Sequence, residues 1–197
     1  MRHRRLLTCV AISSFGFFLA VSFTRLSAKT DTDLSNAPCC KSFSLKDHNG
    51  KKIDTVGLKG KVVFLVFGFV ACPDYCPTTL NGIAQVLTSI KADSRQDVKV
   101  IFVTLDPERD KPEMLRSFVR SFGSNFVGAY GSVAETKKVA SEYRVFFQKV
   151  SGLSKGSYTI DHTTGFYLID KSGTTRQYFA STRAGSLPAE VQKLLLN

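Results

Sequence analysis

Tryptophan is absent from this chain of 197 residues, and internal repeats and low-complexity segments are absent as well. The formal net charge is +11, yet the 27 Lys and Arg residues form no arginine-rich block and no alternation with aromatic residues. This lack argues against nucleic-acid binding and favours a solvated basic surface that meets an acidic partner. The length allows one domain of ordinary size plus a tail, and 43% apolar residues allow a substantial core.

Acidic residues are missing from the N-terminal part of the chain, where Leu6 to Phe23 contains no charged residue and arginines stand on both sides. This run is at the lower length limit of a membrane-spanning helix, and Leu26-Ser27-Ala28 is a poor cleavage site. We therefore expect an uncleaved single-pass anchor in the inner membrane, with the basic end in the cytoplasm and the domain facing the periplasm. The chain is therefore predicted to have three parts. Residues 1–28 are the basic end and the anchor (or a signal), residues 29–41 are a linker, and residues 42–197 are the folded domain.

A disulfide-stapled scaffold is also disfavoured, because the five cysteines are an odd number without a regular spacing. Cys9 lies in the apolar run and is interpreted as a passive residue. Cys39 and Cys40 are neighbours, and a bridge between neighbouring cysteines is strained. Passive thiols are the favoured interpretation of this pair, and an accessory metal site or an intermolecular disulfide is the alternative.

Apolar runs alternate with helical patterns and short turns along the remainder of the chain, which predicts a βαβ core with a hairpin on each side. A cysteine turn directly after the first core strand indicates an α/β, thioredoxin-like fold with an extra N-terminal β-hairpin. The main predicted elements are a hairpin over Phe43–Ile53, strands over Lys61–Phe67, Val98–Leu105, Phe126–Tyr130 and Thr163–Ile169, and a closing helix over Leu187–Leu196.

Cys72 and Cys76 occupy the turn between the first core strand and a helix that we expect to begin at Pro77. A helix N-terminus favours negative charge, so Cys76 is predicted to have a lowered thiol pKa. Residues four apart share a helix face, and their Cα atoms would lie ~6 Å apart, close enough for a disulfide or for one shared ion. The usual redox spacing is Cys-x-x-Cys, so the extra residue modestly favours a metal.

His162 is the histidine that would complete a metal site. Taken alone it is more simply a hydrogen-bonded loop residue, but a thioredoxin-like sheet would place it beside the cysteine turn. Two thiolates and one imidazole suit Cu(I), whereas structural zinc normally requires a fourth protein ligand.

Asp106, Arg109 and Asp110 follow the second core strand and form a polar loop. The pattern predicts that Asp110 caps the next helix. Arg109 has two interpretations. It is either a residue of the turn, or a functional residue that orders the rim of the site or contacts a partner.

Four segments together resemble the Sco/SenC family, in the family's order: Phe67-Gly68-Phe69-x-x-Cys72-Pro73-Asp74-x-Cys76-Pro77, Val103 to Glu113, Tyr143-Arg144-Val145, and Asp161-His162 with Phe166 to Asp170. The resemblance covers Phe43 to the C-terminus. It implies a membrane-anchored, thioredoxin-fold copper chaperone that takes copper from a donor protein. The receiving partner would be subunit II of cytochrome c oxidase, at its binuclear copper site.

Matched position by position, the resemblance implies that Cys72, Cys76 and His162 are the copper ligands. The bound ion would be Cu(I), with Cu(II) as the second oxidation state. A metallochaperone of this kind is not an enzyme. The alternative is a thiol-disulfide oxidoreductase that uses Cys72 and Cys76 as a redox pair and reduces cysteines of the oxidase subunit or of another copper protein. A peroxiredoxin is disfavoured, because Phe69 stands where the attacking cysteine would need a threonine.

Overall fold

The computed structural model describes residues 32–34, 36–37, 39–40, 42–152, 154, 156–180 and 187–196. The anchor predicted over residues 6–23 lies outside these residues. In the part of the chain that is described, no helix is both long and apolar enough to cross a membrane.

The described residues form ten strands and five helices. The strands are β1 (Thr32–Asp33), β2 (Ser44–Asp47), β3 (Lys52–Asp54), β4 (Val62–Gly68), β5 (Val98–Thr104), β6 (Phe126–Tyr130), β7 (Phe147–Ser151), β8 (Tyr158–His162), β9 (Phe166–Ile169) and β10 (Thr175–Phe179). The helices are α1 (Tyr75–Ser89), α2 (Ala92–Arg95), α3 (Pro112–Arg120), α4 (Val133–Glu142) and α5 (Leu187–Leu196).

Eight of these strands make one mixed sheet in the order β1-β10-β9-β4-β5-β6-β2-β3. Strands β4, β5 and β6 run parallel, which requires the helical crossovers that follow β4 and β5 in the chain. Strand β9 pairs antiparallel with β4 on its other side. The mixed α/β class expected from the sequence is confirmed.

Strand β4 lies in the middle of this sheet, and all seven of its residues are buried. Its sequence, Val-Val-Phe-Leu-Val-Phe-Gly, is continuously apolar because both faces of a central strand are covered. Helix α5 packs on β4 and on α1, while α3 packs on β6. The carboxyl end of β4, from which the cysteine turn starts, is therefore attached to the most buried part of the molecule.

A hairpin flanks the core on each side. Strands β2 and β3 pair antiparallel around a turn that contains Gly50, whose φ of 81° favours glycine. Strand β2 also pairs with β6 and so joins this hairpin to the main sheet. On the opposite side β9 and β10 pair antiparallel around Gly173, whose φ is 88°.

The ordered domain begins earlier than the boundary predicted at residue 42. Strand β1 pairs with β10, with Thr32 opposite Tyr178. Cys40 is only 2% exposed, and its N–H donates to the carbonyl oxygen of Glu142 at 3.0 Å. Of the residues assigned to a linker, Thr32 and Asp33 therefore join the sheet and Cys40 joins the core, with backbone partners on β10 and at the end of α4.

The segment from Tyr158 to Ile169 also differs from its prediction. Strand β8 pairs with β7 in a separate two-stranded sheet, and the main sheet resumes only at β9. Between them Gly165 adopts a φ of 116°, a backbone conformation that turns the chain and that other residues rarely adopt. His162 is therefore the last residue of a peripheral hairpin.

Candidate metal centre

The cysteine turn begins where β4 ends, at a glycine that leaves room for sulfur. A Cβ atom added to Gly68 would collide with the Cys76 sulfur and would lie 2.9 Å from a ring atom of Phe102. Glycine is thus required here by close packing, because Cys76 fills the space that a side chain would occupy. Cys76 is accordingly only 2% exposed.

Helix α1 begins at Tyr75, so Cys76 is its second residue and Pro77 its third. Pro77 was expected at the first position, but it still lies in the first turn, where backbone N–H groups have no partner within the helix. Cys72 precedes the helix, and the N–H of Cys76 points at the Cys72 sulfur at 3.4 Å. The helix N-terminus therefore faces Cys72 rather than Cys76.

This arrangement shifts the pKa values of the two thiols in opposite directions. A hydrogen bond from the Cys76 thiol lowers the pKa of Cys72 to about 4; burial opposes the change, and a hydrogen bond with His162 supports it. The pKa of Cys76 is raised, because its proton is held by the Cys72 sulfur and because it is buried. The prediction that Cys76 has a lowered pKa is wrong, and the lowered pKa belongs to Cys72.

His162 reaches this sulfur pair from β8. Its Nδ1 lies 2.9 Å from the carbonyl oxygen of Thr163. A carbonyl oxygen only accepts, so Nδ1 has the hydrogen and Nε2 keeps a free lone pair in the neutral ring. Burial lowers the His162 pKa, but hydrogen bonds with Cys72 and Thr163 outweigh it and the net pKa is raised. The ring stands edge-on to Phe69, with the centroids 5.9 Å apart.

The structure brings Cys72, Cys76 and His162 together, with their donor atoms all within 4.8 Å of one another. Across the described ranges, no other group of three or more Cys, His, Asp or Glu side chains is placed to share an ion. Two sulfurs and one imidazole nitrogen are soft donors of the kind that bind copper.

Arg109 attaches the histidine hairpin to the loop after β5. Its Nε lies 2.8 Å from Asp106 Oδ2, and its Nη1 donates to the carbonyl oxygen of Tyr158 at 3.1 Å. The guanidinium also lies 4.2 Å from the centre of the Tyr158 ring, and the Tyr158 hydroxyl donates to Asp106 at 2.9 Å. Asp106 is fully buried and the Arg109 side chain is 31% exposed, so water screens this ion pair only in part. Of the two interpretations of Arg109, these contacts fit a residue that orders the rim of the site.

Asp110 holds the cysteine turn from the same loop. Its Oδ2 accepts the N–H of Val70 at 2.9 Å and the hydroxyl of Thr104 at 2.7 Å, and burial raises its pKa. Lys111, and not Asp110, directly precedes α3. The predicted helix cap is therefore wrong, because the carboxylate bonds instead to a backbone N–H 40 residues away in the chain. No local sequence signal could reveal that partner.

The fold and the site define a class of protein: a thioredoxin-like α/β domain with a dithiol and a histidine at the end of its central strand. A sequence model of the SCO1/SenC family matches residues 31–195. This chain belongs to the SCO1/SenC family.

Individual relatives agree with this assignment. The SCO2-like protein of Rickettsia prowazekii (strain Madrid E) is 36% identical over 138 residues, which cover 70% of this chain and 67% of that protein. The structure of Arabidopsis thaliana ScoI with copper bound is 33% identical with a TM-score of 0.72, and the match covers 79% of this chain and 96% of that one. Bradyrhizobium japonicum ScoI, also solved with copper bound, is 37% identical with a TM-score of 0.67, over 78% and 95%.

Proposed function

We propose that this protein is a copper chaperone that binds one Cu(I) ion through Cys72, Cys76 and His162. The observation that supports this most directly is the convergence of the three donor atoms within 4.8 Å, although His162 is distant in the chain. Related ScoI proteins have been solved with copper bound, which supports copper as the ion.

The donor set explains the preference for Cu(I). Cys72 offers a thiolate with a pKa of about 4, so no proton opposes the arrival of the ion there. Cys76 gives up its proton when it binds, and His162 contributes the lone pair of Nε2. Thiolate ligands select Cu(I), and zinc would require a fourth protein ligand that this cluster does not include.

Copper is the cargo, and we propose that it passes by ligand exchange to subunit II of cytochrome c oxidase, as the Sco/SenC resemblance implies. A copper donor protein would load the site.

We further propose that residues 6–23 anchor the chain in the inner membrane and that the domain faces the periplasm. The charge-free run between flanking arginines supports this arrangement.

The test is anaerobic Cu(I) binding by the reduced full-length chain, measured in competition with a chromophoric chelator. His162→Ala is expected to weaken binding at the Cys72–Cys76 site by at least about 100-fold, which corresponds to about 2.7 kcal/mol. His48→Asn is the matched control. Nδ1 of His48 accepts the N–H of Gly128 at 3.0 Å, and an asparagine amide oxygen can accept the same bond. Equal affinities of the wild type and His162→Ala would refute the proposal.

A second function is favoured by the acidities of the two thiols. A Cys72 thiolate beside a protonated Cys76 has the properties of an attacking thiol and a resolving thiol. In that reaction Cys72 attacks a partner's disulfide, and Cys76 then displaces the partner's sulfur. The partner gains two electrons and two protons as its disulfide is reduced, and Cys72 and Cys76 become a disulfide. His162→Ala should leave this exchange largely intact while copper binding is lost, so the one variant separates the two functions.

A further inference from the structure

The neighbouring residues Cys39 and Cys40 are not used by the site described above. Their sulfur atoms lie 2.7 Å apart, and both cysteines are free. Cys40 is buried, whereas Cys39 is half-buried and lines a surface cavity of about 390 Å³. The two sulfurs therefore meet at a place that solvent and solutes can reach from the side of Cys39.

The backbone at Cys40 is held in an unfavourable conformation. Its φ is 66°, and Arg144 is the only other non-glycine residue with positive φ in the described part of the chain. This left-handed conformation costs an L-residue roughly 1–2 kcal/mol. Hydrogen bonds hold it on both sides, from the Cys40 N–H to the Glu142 carbonyl oxygen at 3.0 Å and from the Thr175 hydroxyl to the Cys40 carbonyl oxygen at 2.5 Å. Strain maintained in this way is typical of functional positions.

A disulfide is a poor explanation for the pair. Consecutive Cα atoms lie about 3.8 Å apart, whereas disulfides usually need about 4.4 Å or more. A metal ion tolerates this geometry better, because two metal–sulfur bonds of about 2.3 Å allow the sulfurs to lie further apart than a direct S–S bond does. Binding would therefore require the two sulfurs to move apart from their separation of 2.7 Å, by rotation about χ1.

We propose that Cys39 and Cys40 form a second site, which binds a soft, thiophilic cation, Cu(I), through two thiolates. Cys39 opens to the cavity, so an exogenous sulfur donor can complete the coordination there. Two thiolates and one Cu(I) have a net negative charge. Lys138 and Arg144 line the cavity and offset that charge, while Glu142 is the acidic residue on the same rim.

This inference does not depend on the proposed function of Cys72, Cys76 and His162, because the two sets of ligands share no residue. Its test is the number of copper ions retained per reduced full-length chain after anaerobic Cu(I) loading and desalting. The near-ultraviolet thiolate–Cu(I) absorption is recorded in parallel. The wild type is expected to retain one ion more than the Cys40→Gly variant.

Cys40→Gly is the most informative variant, because it removes a ligand without disturbing the backbone. Glycine adopts a φ of 66° without strain, so the fold should be kept or stabilised. Its thermal midpoint should therefore equal or exceed that of the wild type. Cys39→Ser, at the more exposed position, should also lose the additional ion. Cys9 is present in every variant, so any copper that it binds cancels from the comparison.

The double variant Cys72→Ser/Cys76→Ser separates this proposal from the previous one. We expect it to retain the ion bound by Cys39 and Cys40 and to lose that ion when Cys40→Gly is added. Equal copper in the wild type and Cys40→Gly would overturn the second site, whatever happens at Cys72 and Cys76. No copper in Cys72→Ser/Cys76→Ser would overturn it as well.

Discussion

The cysteine turn and the histidine hairpin bring donor atoms to the same point but are built in different ways. The turn extends from β4, whose residues are all buried and which pairs with strands on both sides. The hairpin of β7 and β8 is a separate two-stranded sheet, and four of the five β7 residues are exposed. The two sulfurs are therefore positioned by the core, and the imidazole is positioned by a peripheral element.

This difference would suit the copper delivery proposed above, which requires an ion to be both held and released. The hairpin is attached to the β5–α3 loop through the contacts of Arg109 and Asp106 with Tyr158. Such attachments can open locally at a smaller free energy than unfolding of the core. Departure of the imidazole would leave the ion on two sulfurs, accessible to a partner's ligands, while the sheet stays folded.

The largest contrast is expected in amide hydrogen exchange of the metal-free, reduced protein. Amides of β4 should exchange only through global unfolding, whereas amides of β7 and β8 should exchange through local opening. We expect protection factors at least about 100-fold higher in β4, which corresponds to about 2.7 kcal/mol. Equal protection in the two regions would show that the hairpin is part of the cooperative core.

A substitution at Gly68 should disturb the cysteine turn, the part of the site that the core positions. Gly68→Ala places a methyl group against the Cys76 sulfur and the Phe102 ring, and overpacking of this kind costs about 1–3 kcal/mol of unfolding free energy. Denaturant unfolding measures this cost, and Cu(I) competition should show weaker binding as well.

Gly82 provides the matched control for that substitution. It lies within α1, and a Cβ atom added there would meet nothing within 4 Å. Gly82→Ala should therefore stabilise the protein by about 0.5–1 kcal/mol, since alanine is the better helix former. Destabilisation by both changes would contradict the packing argument at Gly68.

A substitution at Arg109 should disturb the peripheral half instead. Arg109→Gln removes the ion pair with Asp106 and the cation–π contact with Tyr158. We expect Cu(I) affinity to fall about 10-fold, or about 1.4 kcal/mol, which is within the range of a partly desolvated cation–π contact. The reduction potential of the Cys72–Cys76 pair should change less than the copper affinity, because the hydrogen bonds between the two cysteines and from Val70 to Asp110 remain.

Lys149→Gln is the control for Arg109. Lys149 also lies over the Tyr158 ring, at 4.5 Å, but its ion pair with Glu108 is solvent-exposed on both sides. Copper affinity should not change measurably in this variant. A loss equal to that of Arg109→Gln would indicate a general charge effect rather than positioning of the hairpin.

The smallest effect is expected at the hairpin of β9 and β10, which belongs to the main sheet. Burial disfavours the charged form of Asp170, but hydrogen bonds from Ser172 and Thr174 and the ion pair with Arg176 outweigh it and hold the pKa below its ordinary value. A depressed pKa stabilises the fold above the unfolded-state pKa of about 3.9, and this stabilisation is lost as the pH falls through the folded-state pKa.

Asp170→Asn should therefore lower the free energy of unfolding by about 1 kcal/mol at neutral pH. The difference from the wild type should shrink as the pH falls below about 4. Urea unfolding across this pH range measures the effect. A difference that stays constant with pH would mean that the charge of Asp170 is not responsible, and copper affinity should be unaffected at any pH where the protein is folded.

Sequence patterns predicted those elements whose signals are local. The closing helix was predicted over Leu187–Leu196 and α5 has these bounds. Ser132 caps α4 in a capping box with Glu135, a local pattern in which each side chain accepts the other residue's backbone N–H. The buried run of β4 was equally clear, because a central strand in a covered sheet requires continuous apolar residues.

The features that were missed depend on contacts between distant residues. The order of the thiol acidities depends on which sulfur receives the Cys76 N–H and the Cys76 thiol proton, and spacing alone does not determine this. The role of Asp110 depends on Val70, and the division of β8 from β9 depends on pairing with β7. The convergence of His162 with the cysteines was expected only once a thioredoxin-like fold was assumed.

The two outer strands of the main sheet restrict how other molecules can approach it. Strand β1 has two residues, and β3 has three, of which Lys52 and Asp54 form an ion pair. Edges this short and charged resist the addition of a foreign strand, so they disfavour aggregation and also recognition by β-augmentation. A protein that exchanges copper or electrons here should therefore bind to the loops at the carboxyl end of β4 and not extend the sheet sideways.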